Sequence, residues 1–194
     1  MKRPALFWID AVVKATLVAL LLFAVARPDL PQFHGKAVVA RALAYPIAAL
    51  VVPAVWLLRG RRDPYPYDVD ILVTLPFLVD TAGNALNLYD TISWWDDLNH
   101  FVNWAILVTG FGRLLVRLPL VRLNAFGLAV GFGFVTAVLW EFGEYLTFIR
   151  HNQNELRTAY TDTLGDLALG GSGSVVAAAL TVTVLWRRQP AAAT

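Results

Sequence analysis

Eight of the fourteen acidic residues in this 194-residue chain gather in four places: Asp80 and Asp90, Asp96 and Asp97, Glu141 and Glu144, Asp162 and Asp166. Their spacing points to helices. Asp80, Asn84 and Asn87 stand four and three residues apart; Asp96 and Asp97 precede His100 by four and three, and Asn103 continues that stripe. Glu141 and Glu144 are three apart, Asp162 and Asp166 four. Side chains at these separations share one helical face on neighbouring turns. Each segment therefore offers a pair of oxygen or nitrogen ligands. Hard oxygens with a single imidazole suit Mg²⁺, Mn²⁺ or Ca²⁺, or Zn²⁺ or iron where His100 takes part. A carboxylate–x–x–His turn facing carboxylates on other helices follows the logic of di-metal helical bundles, although those carry two such histidine turns and this chain has one.

The surroundings of these residues are apolar. Hydrophobic residues make up 58% of the chain and charged residues 15%, with a mean hydropathy of +0.58. Such a composition excludes a disordered chain and argues against a water-soluble globule. The absence of cysteine removes disulfides, thiolate metal sites and cysteine nucleophiles together. A net charge of +2 with scattered basic residues speaks against a nucleic-acid partner. Six stretches are long and apolar enough for a bilayer span of about 20 residues: 7–25, 37–58, 69–88, 92–112, 125–148 and 160–186. Backbone in lipid must satisfy its own hydrogen bonds, so the expected fold is an all-α transmembrane bundle of about six helices in one domain, residues 1–194. Pro28, Pro31, Pro64 and Pro66 mark loops, whereas Pro46, Pro53 and Pro76 fall inside spans. Gly165, Gly170, Gly171 and Gly173, with Ser172 and Ser174, predict close packing of the last helix, and Gly127, Gly131 and Gly133 of the fifth.

Loop charge sets the orientation. Lys2, Arg3, Arg59, Arg61, Arg62, Arg113, Arg117, Arg122, Arg187 and Arg188 lie on one side, against Arg27, Lys36, Arg150 and Arg157 on the other. The positive-inside rule then places both termini in the cytoplasm of a multi-pass plasma-membrane protein. Met1-Lys2-Arg3 followed by an apolar run imitates a cleavable signal peptide, but Asp10 and Lys14 interrupt it at the spacing of an ion pair on a retained helix. In this orientation Asp80, Asp97, His100, Glu141 and Asp166 lie within roughly 12 Å of the outer boundary at about 1.5 Å per residue. Eight carboxylates cannot all remain ionised and unpaired there. The nearby fixed cations are Arg41, Arg150 and Arg157. A bound divalent metal ion is the favoured resolution; hydrogen-bonded glue between helices and a protonatable relay are the alternatives.

These residues lead to a metal-dependent hydrolase of a lipid-linked or phosphorylated substrate, with membrane lipid as its surroundings. Asp97, His100, Glu141, Glu144, Asp162 and Asp166 would hold the metal. Asp97 and Glu141 also belong to the catalytic set, with Asp80 as support or general base. A cation or proton-coupled transporter is the alternative, and a structural or partner-binding subunit a third. The inner halves of the last four spans read as nearly apolar, with Thr74, Thr109, Thr136 and Ser174 as exceptions, which favours a one-sided site. His34 and His151 read as solvated loop residues.

Asp97-Leu98-Asn99-His100-Phe101, Glu141-Phe142-Gly143-Glu144 and Asp162 to Asp166 together resemble the YjdF-like bacterial membrane proteins and, more distantly, the VanZ-like family. The likeness runs from about residue 80 to 175 and departs at the doubled aspartate Asp96-Asp97. It implies a polytopic bacterial inner-membrane protein; VanZ-like proteins are linked with glycopeptide-antibiotic resistance, near envelope lipids. The orientation has a direct test. A reporter fused after Thr194 that works only in the cytoplasm is expected to be active, and activity of an exoplasmic reporter alone would reverse the topology.

Overall fold

A computed structural model of the chain describes residues 3–61 and 64–186. Among them seven α-helices follow in order: α1 Arg3–Ala26, α2 Val38–Leu58, α3 Tyr67–Ala85, the one-turn α4 Leu88–Thr91, α5 Trp95–Leu115, α6 Arg122–Thr147 and α7 Gln153–Leu180. Lys2, Arg62, Arg187 and Arg188, which enter the charge asymmetry, lie outside the described residues. The all-α expectation holds, and the six long helices overlie the six apolar stretches.

Most boundaries shift by a few residues, and two of the shifts bear on the acidic groups. The third span was expected to reach residue 88, but α3 ends at Ala85 and Asn87 adopts a left-handed conformation with φ 58°. Asparagine tolerates this region better than other side chains. Its amide donates to the Asn84 carbonyl at 3.0 Å, closing a tight turn. Asn87 therefore leaves the stripe of Asp80 and Asn84. The last helix starts seven residues before the expected 160, because Asn152 caps it by accepting from the Asn154 amide at 3.1 Å.

Residues 4–26, 38–58, 122–151 and 153–185 are long and apolar enough to cross a membrane; α3 and α5 are not. Their acids explain this, and so does their position. α3 packs against α1, α2 and α5, while α5 also packs against α6 and α7. The polar helices are thus central and the apolar ones surround them. Leu43 and Ile47, one turn apart on α2, are each 68% exposed, as suits a face turned to lipid.

Close packing of α7 follows its glycines selectively. A Cβ at Gly173 would stand 2.1 Å from the Phe101 carbonyl oxygen of α5, so only a hydrogen fits. Gly165, Gly127 and Gly131 face open space and do not carry the packing expected of them. Asp70 corrects another expectation. It is fully buried, beside the already noted Thr74, in the half of α3 read as otherwise nearly apolar. Lys14 contacts Asp70 and lies 3.4 Å from Asp10, so the expected pair on α1 also ties α1 to α3.

Gly173→Ala should destabilise the bundle by about 1–3 kcal/mol through overpacking, whereas Gly165→Ala should not. Thermal denaturation in detergent measures both; equal melting temperatures would disprove the α5–α7 contact.

Candidate functional site

α3 carries Asp80 into the bundle at one turn from Asn84, and three elements supply its partners. Arg41 of α2 pairs with Asp80 Oδ2, and the Tyr45 hydroxyl, one turn along α2, donates to the same oxygen at 2.5 Å. Oδ1 accepts from the Tyr89 hydroxyl at 2.8 Å and from Asn84 Nδ2 at 3.4 Å. Burial, and then the charge of Asp80, raise Tyr89 well above the usual tyrosine range, so it stays a donor. Tyr89 in turn accepts from Asn99 at 3.0 Å, and Asn99 from Asn103 at 3.2 Å. Arg41 is itself fixed by donating Nε to the Lys36 carbonyl at 2.8 Å, and its Nη2 lies 3.7 Å from Glu144 Oε1. Both Asp80 oxygens are committed. Of the two roles read for it, this geometry suits support rather than proton abstraction.

His100 lies deeper on α5, where three carboxylates approach it. Its Nε2 is 3.7 Å from Asp96 Oδ1 and 3.5 Å from Asp166 Oδ1 of α7, and its Nδ1 is 4.0 Å from Glu141 Oε1 of α6. Glu141 Oε2 accepts from the Thr163 hydroxyl at 3.0 Å. Two triplets have ligand atoms within 4.8 Å of one another: Asp96, His100 and Asp166, and His100, Glu141 and Glu144. Four of the six expected metal ligands are thereby brought together. Asp97 is not among them; it is exposed, and Asp96 takes its place beside His100. The i, i+4 spacing of Asp96 to His100 was the signal available in the sequence. Asp162 stands one turn before Asp166 and lines the cavity without entering either triplet.

The cations also differ from expectation. Lys36 reaches Asp90 at 2.9 Å, whereas Arg150 turns to His151, donating to its Nε2 at 2.9 Å on the surface. Arg157 is exposed. Arg41 and Lys36 are then the cations at the site.

A cavity of about 300 Å³ opens here. Its charged lining is Lys36 and Arg41 against six acids, Asp80, Asp90, Asp96, Glu144, Glu155 and Asp162, with His100 beside them. Its floor is apolar: Phe77, Trp104, Leu107 and Trp140. Asn84 Oδ1 and Asn103 Oδ1 are buried without hydrogen-bond partners, and both residues line it. The four sequence groups thus converge at one end of the bundle.

Arg41→Met leaves Asp80 buried without a cation and should cost about 3–5 kcal/mol of stability. Adding Asp80→Asn to Arg41→Met should recover part of the loss, measured as a thermal shift; strictly additive effects would show that the pair does not interact.

Neither a curated protein nor a solved structure matches the chain. A family model described as Predicted membrane protein (DUF2238) matches residues 9–187, in keeping with the YjdF-like resemblance. Nearly the whole helical bundle, cavity included, falls inside that match, and the chain belongs to this family of membrane proteins.

Proposed function

We propose that this protein binds a divalent cation at His100 and uses it to hydrolyse a lipid-linked or phosphorylated substrate that enters the cavity from the membrane. The observation that carries the reading is the spacing around the imidazole. Separations of 3.5–3.7 Å from its Nε2 to two carboxylates on two helices are long for N–H···O hydrogen bonds. They match ligand atoms around one ion, whose bonds of about 2.0–2.4 Å set neighbouring ligands about 3–4.5 Å apart. His100 Nε2, Asp96 and Asp166 would hold the ion, with Asp162 one turn away. Glu141, fixed by Thr163, would hold the other imidazole nitrogen, the arrangement common around metal-bound histidines. Glu144 offers a second carboxylate on that side, and Asp97 remains at the surface.

Charge supports the same reading. Six acids against two cations repel a phosphate, and a bound dication reverses the local field. Such an ion supplies a polarised phosphoryl or acyl oxygen and a water of lowered pKa. Arg41, held by Asp80 and Tyr45, is placed to meet the head group, while Phe77, Trp104 and Trp140 suit an apolar tail. The loop charges support an orientation with this end at the outer leaflet of a bacterial plasma membrane. Transport is the second reading. The specific observation in its favour is the buried Asp70 and Thr74 at the opposite end of α3.

Purified protein should contain a divalent ion by elemental analysis. Asp96→Asn and His100→Ala should remove it, Glu141→Gln should weaken its binding about 10–100-fold, and Asp97→Asn should leave it in place. Proteoliposomes decide the chemistry with a panel of lipid-linked phosphates. Hydrolysis lost with the ion supports the enzyme; cation flux abolished by Glu141→Gln, without hydrolysis, replaces it with transport.

A further inference from the structure

The end of the bundle away from the cavity holds a second buried group that the cation site does not use. Lys14 on α1 contacts Asp70 Oδ2 on α3 and lies 3.4 Å from Asp10, one turn back on its own helix. Tyr65, just before α3, donates its hydroxyl to the same Asp70 oxygen. Asp70 has no exposed surface and Asp10 only 7%. Two carboxylates share one ammonium.

The remaining oxygens are informative. Asp10 Oδ1, Asp70 Oδ1 and Thr74 Oγ1 are buried without a hydrogen-bond partner among the described residues. Thr74 stands one turn from Asp70 on the same face of α3 and is itself fully buried. Thr81, Thr109, Thr136 and Thr181 all donate their hydroxyls to the carbonyl four residues earlier. Thr74 does not. Buried polar atoms without partners are rare and mark a place where something else binds.

Charge identifies what that is. Asp10 and Lys14 from α1, Asp70 from α3 and Tyr65 are the titratable groups that face one another here, with Tyr67 packed on Tyr65 at 4.6 Å. Asp68 turns away to Arg113 at 2.8 Å and Arg117 at 3.6 Å. Among the described residues the group therefore carries one unbalanced negative charge. A metal ion would need several oxygens and would have to sit against the Lys14 ammonium. A proton needs one oxygen. Once on a carboxylate it also turns an unpartnered acceptor into a donor for the other acid.

We infer that Asp10, Lys14 and Asp70 form a proton-binding site at the end of the bundle opposite the cavity. The two carboxyl groups hold one exchangeable proton between them, and the Thr74 hydroxyl, unpartnered in the structure, turns to donate to the ionised form. The Lys14 side chain, 24% exposed, marks the route by which the proton passes to and from water.

Infrared spectroscopy of the full chain in lipid nanodiscs tests this by following the C=O stretch of protonated carboxyl groups from mildly alkaline to mildly acidic pH. Wild type should show a titrating band that is lost in both Asp70→Asn and Asp10→Asn and kept in His100→Ala. Thr74→Val removes the donor to the ionised form and should make the proton bind about tenfold more tightly, moving the midpoint to higher pH. Thr74→Val keeps the fold's charges intact, so its shift decides the matter if Asp70→Asn fails to fold. No band that depends on Asp10 and on Asp70 or Thr74 would overturn the proposal, leaving a permanently ionised pair. Loss of the band on adding sodium at fixed pH would overturn it in favour of a metal ion.

Discussion

Charge removed from water persists in an apolar bundle only where opposite charge or hydrogen bonds replace its hydration, at an effective cost of several kcal/mol per ion otherwise. That constraint orders this molecule. Asp80 is met by Arg41, Tyr45, Tyr89 and Asn84, drawn from α2, α3 and α4. Because Tyr89 is tied in turn to Asn99, the same carboxylate also fixes how α3 stands against α5. The cavity is the space left where these partners cannot close over the remaining acids.

The helices divide accordingly. α3 and α5, whose apolar runs are broken by acids, take central places, and α1, α2, α6 and α7 present apolar faces outward. Gly173 lets α5 and α7 approach to backbone contact, and this brings Asp166 to His100. Packing and site geometry are therefore one arrangement. A side chain inserted between those two helices would widen the spacing around the imidazole as surely as a change of ligand.

Much of this was legible in the residues themselves. Apolar runs located all six long helices, although by length and hydropathy alone only four qualify as spans, the acids of α3 and α5 interrupting theirs. The four acidic groups also declared their common end, because helix direction and depth follow from topology. What local spacing could not settle was rotation about the helix axis. Asp96 and Asp97 both stand within one turn of His100, and only the packing of α5 against α7 turns Asp96 inward. Lys36 reaching Asp90 is a contact between distant segments, equally invisible to spacing. Asp70 was within sight inside the third span, but its significance depends on Lys14, 56 residues away.

Between the two polar ends of α3 lie three rings. Phe77 stands 4.9 Å from Tyr45 and 6.4 Å from Trp140, and Tyr45 stands 6.1 Å from Trp140. Asp70 and Asp80 are ten residues apart, about 15 Å of helix, against a hydrocarbon thickness of roughly 30 Å. Across a membrane under voltage, polar groups at each end would leave the aromatic layer between them to carry the steepest part of the drop. A unit charge crossing the full voltage gains about 2.3 kcal/mol per 100 mV. Arg41, at 5.9 Å from the Tyr45 ring, would stand at the edge of that drop. A displacement of its guanidinium by one helical turn would sense a larger share of the voltage than the same step in a uniform membrane.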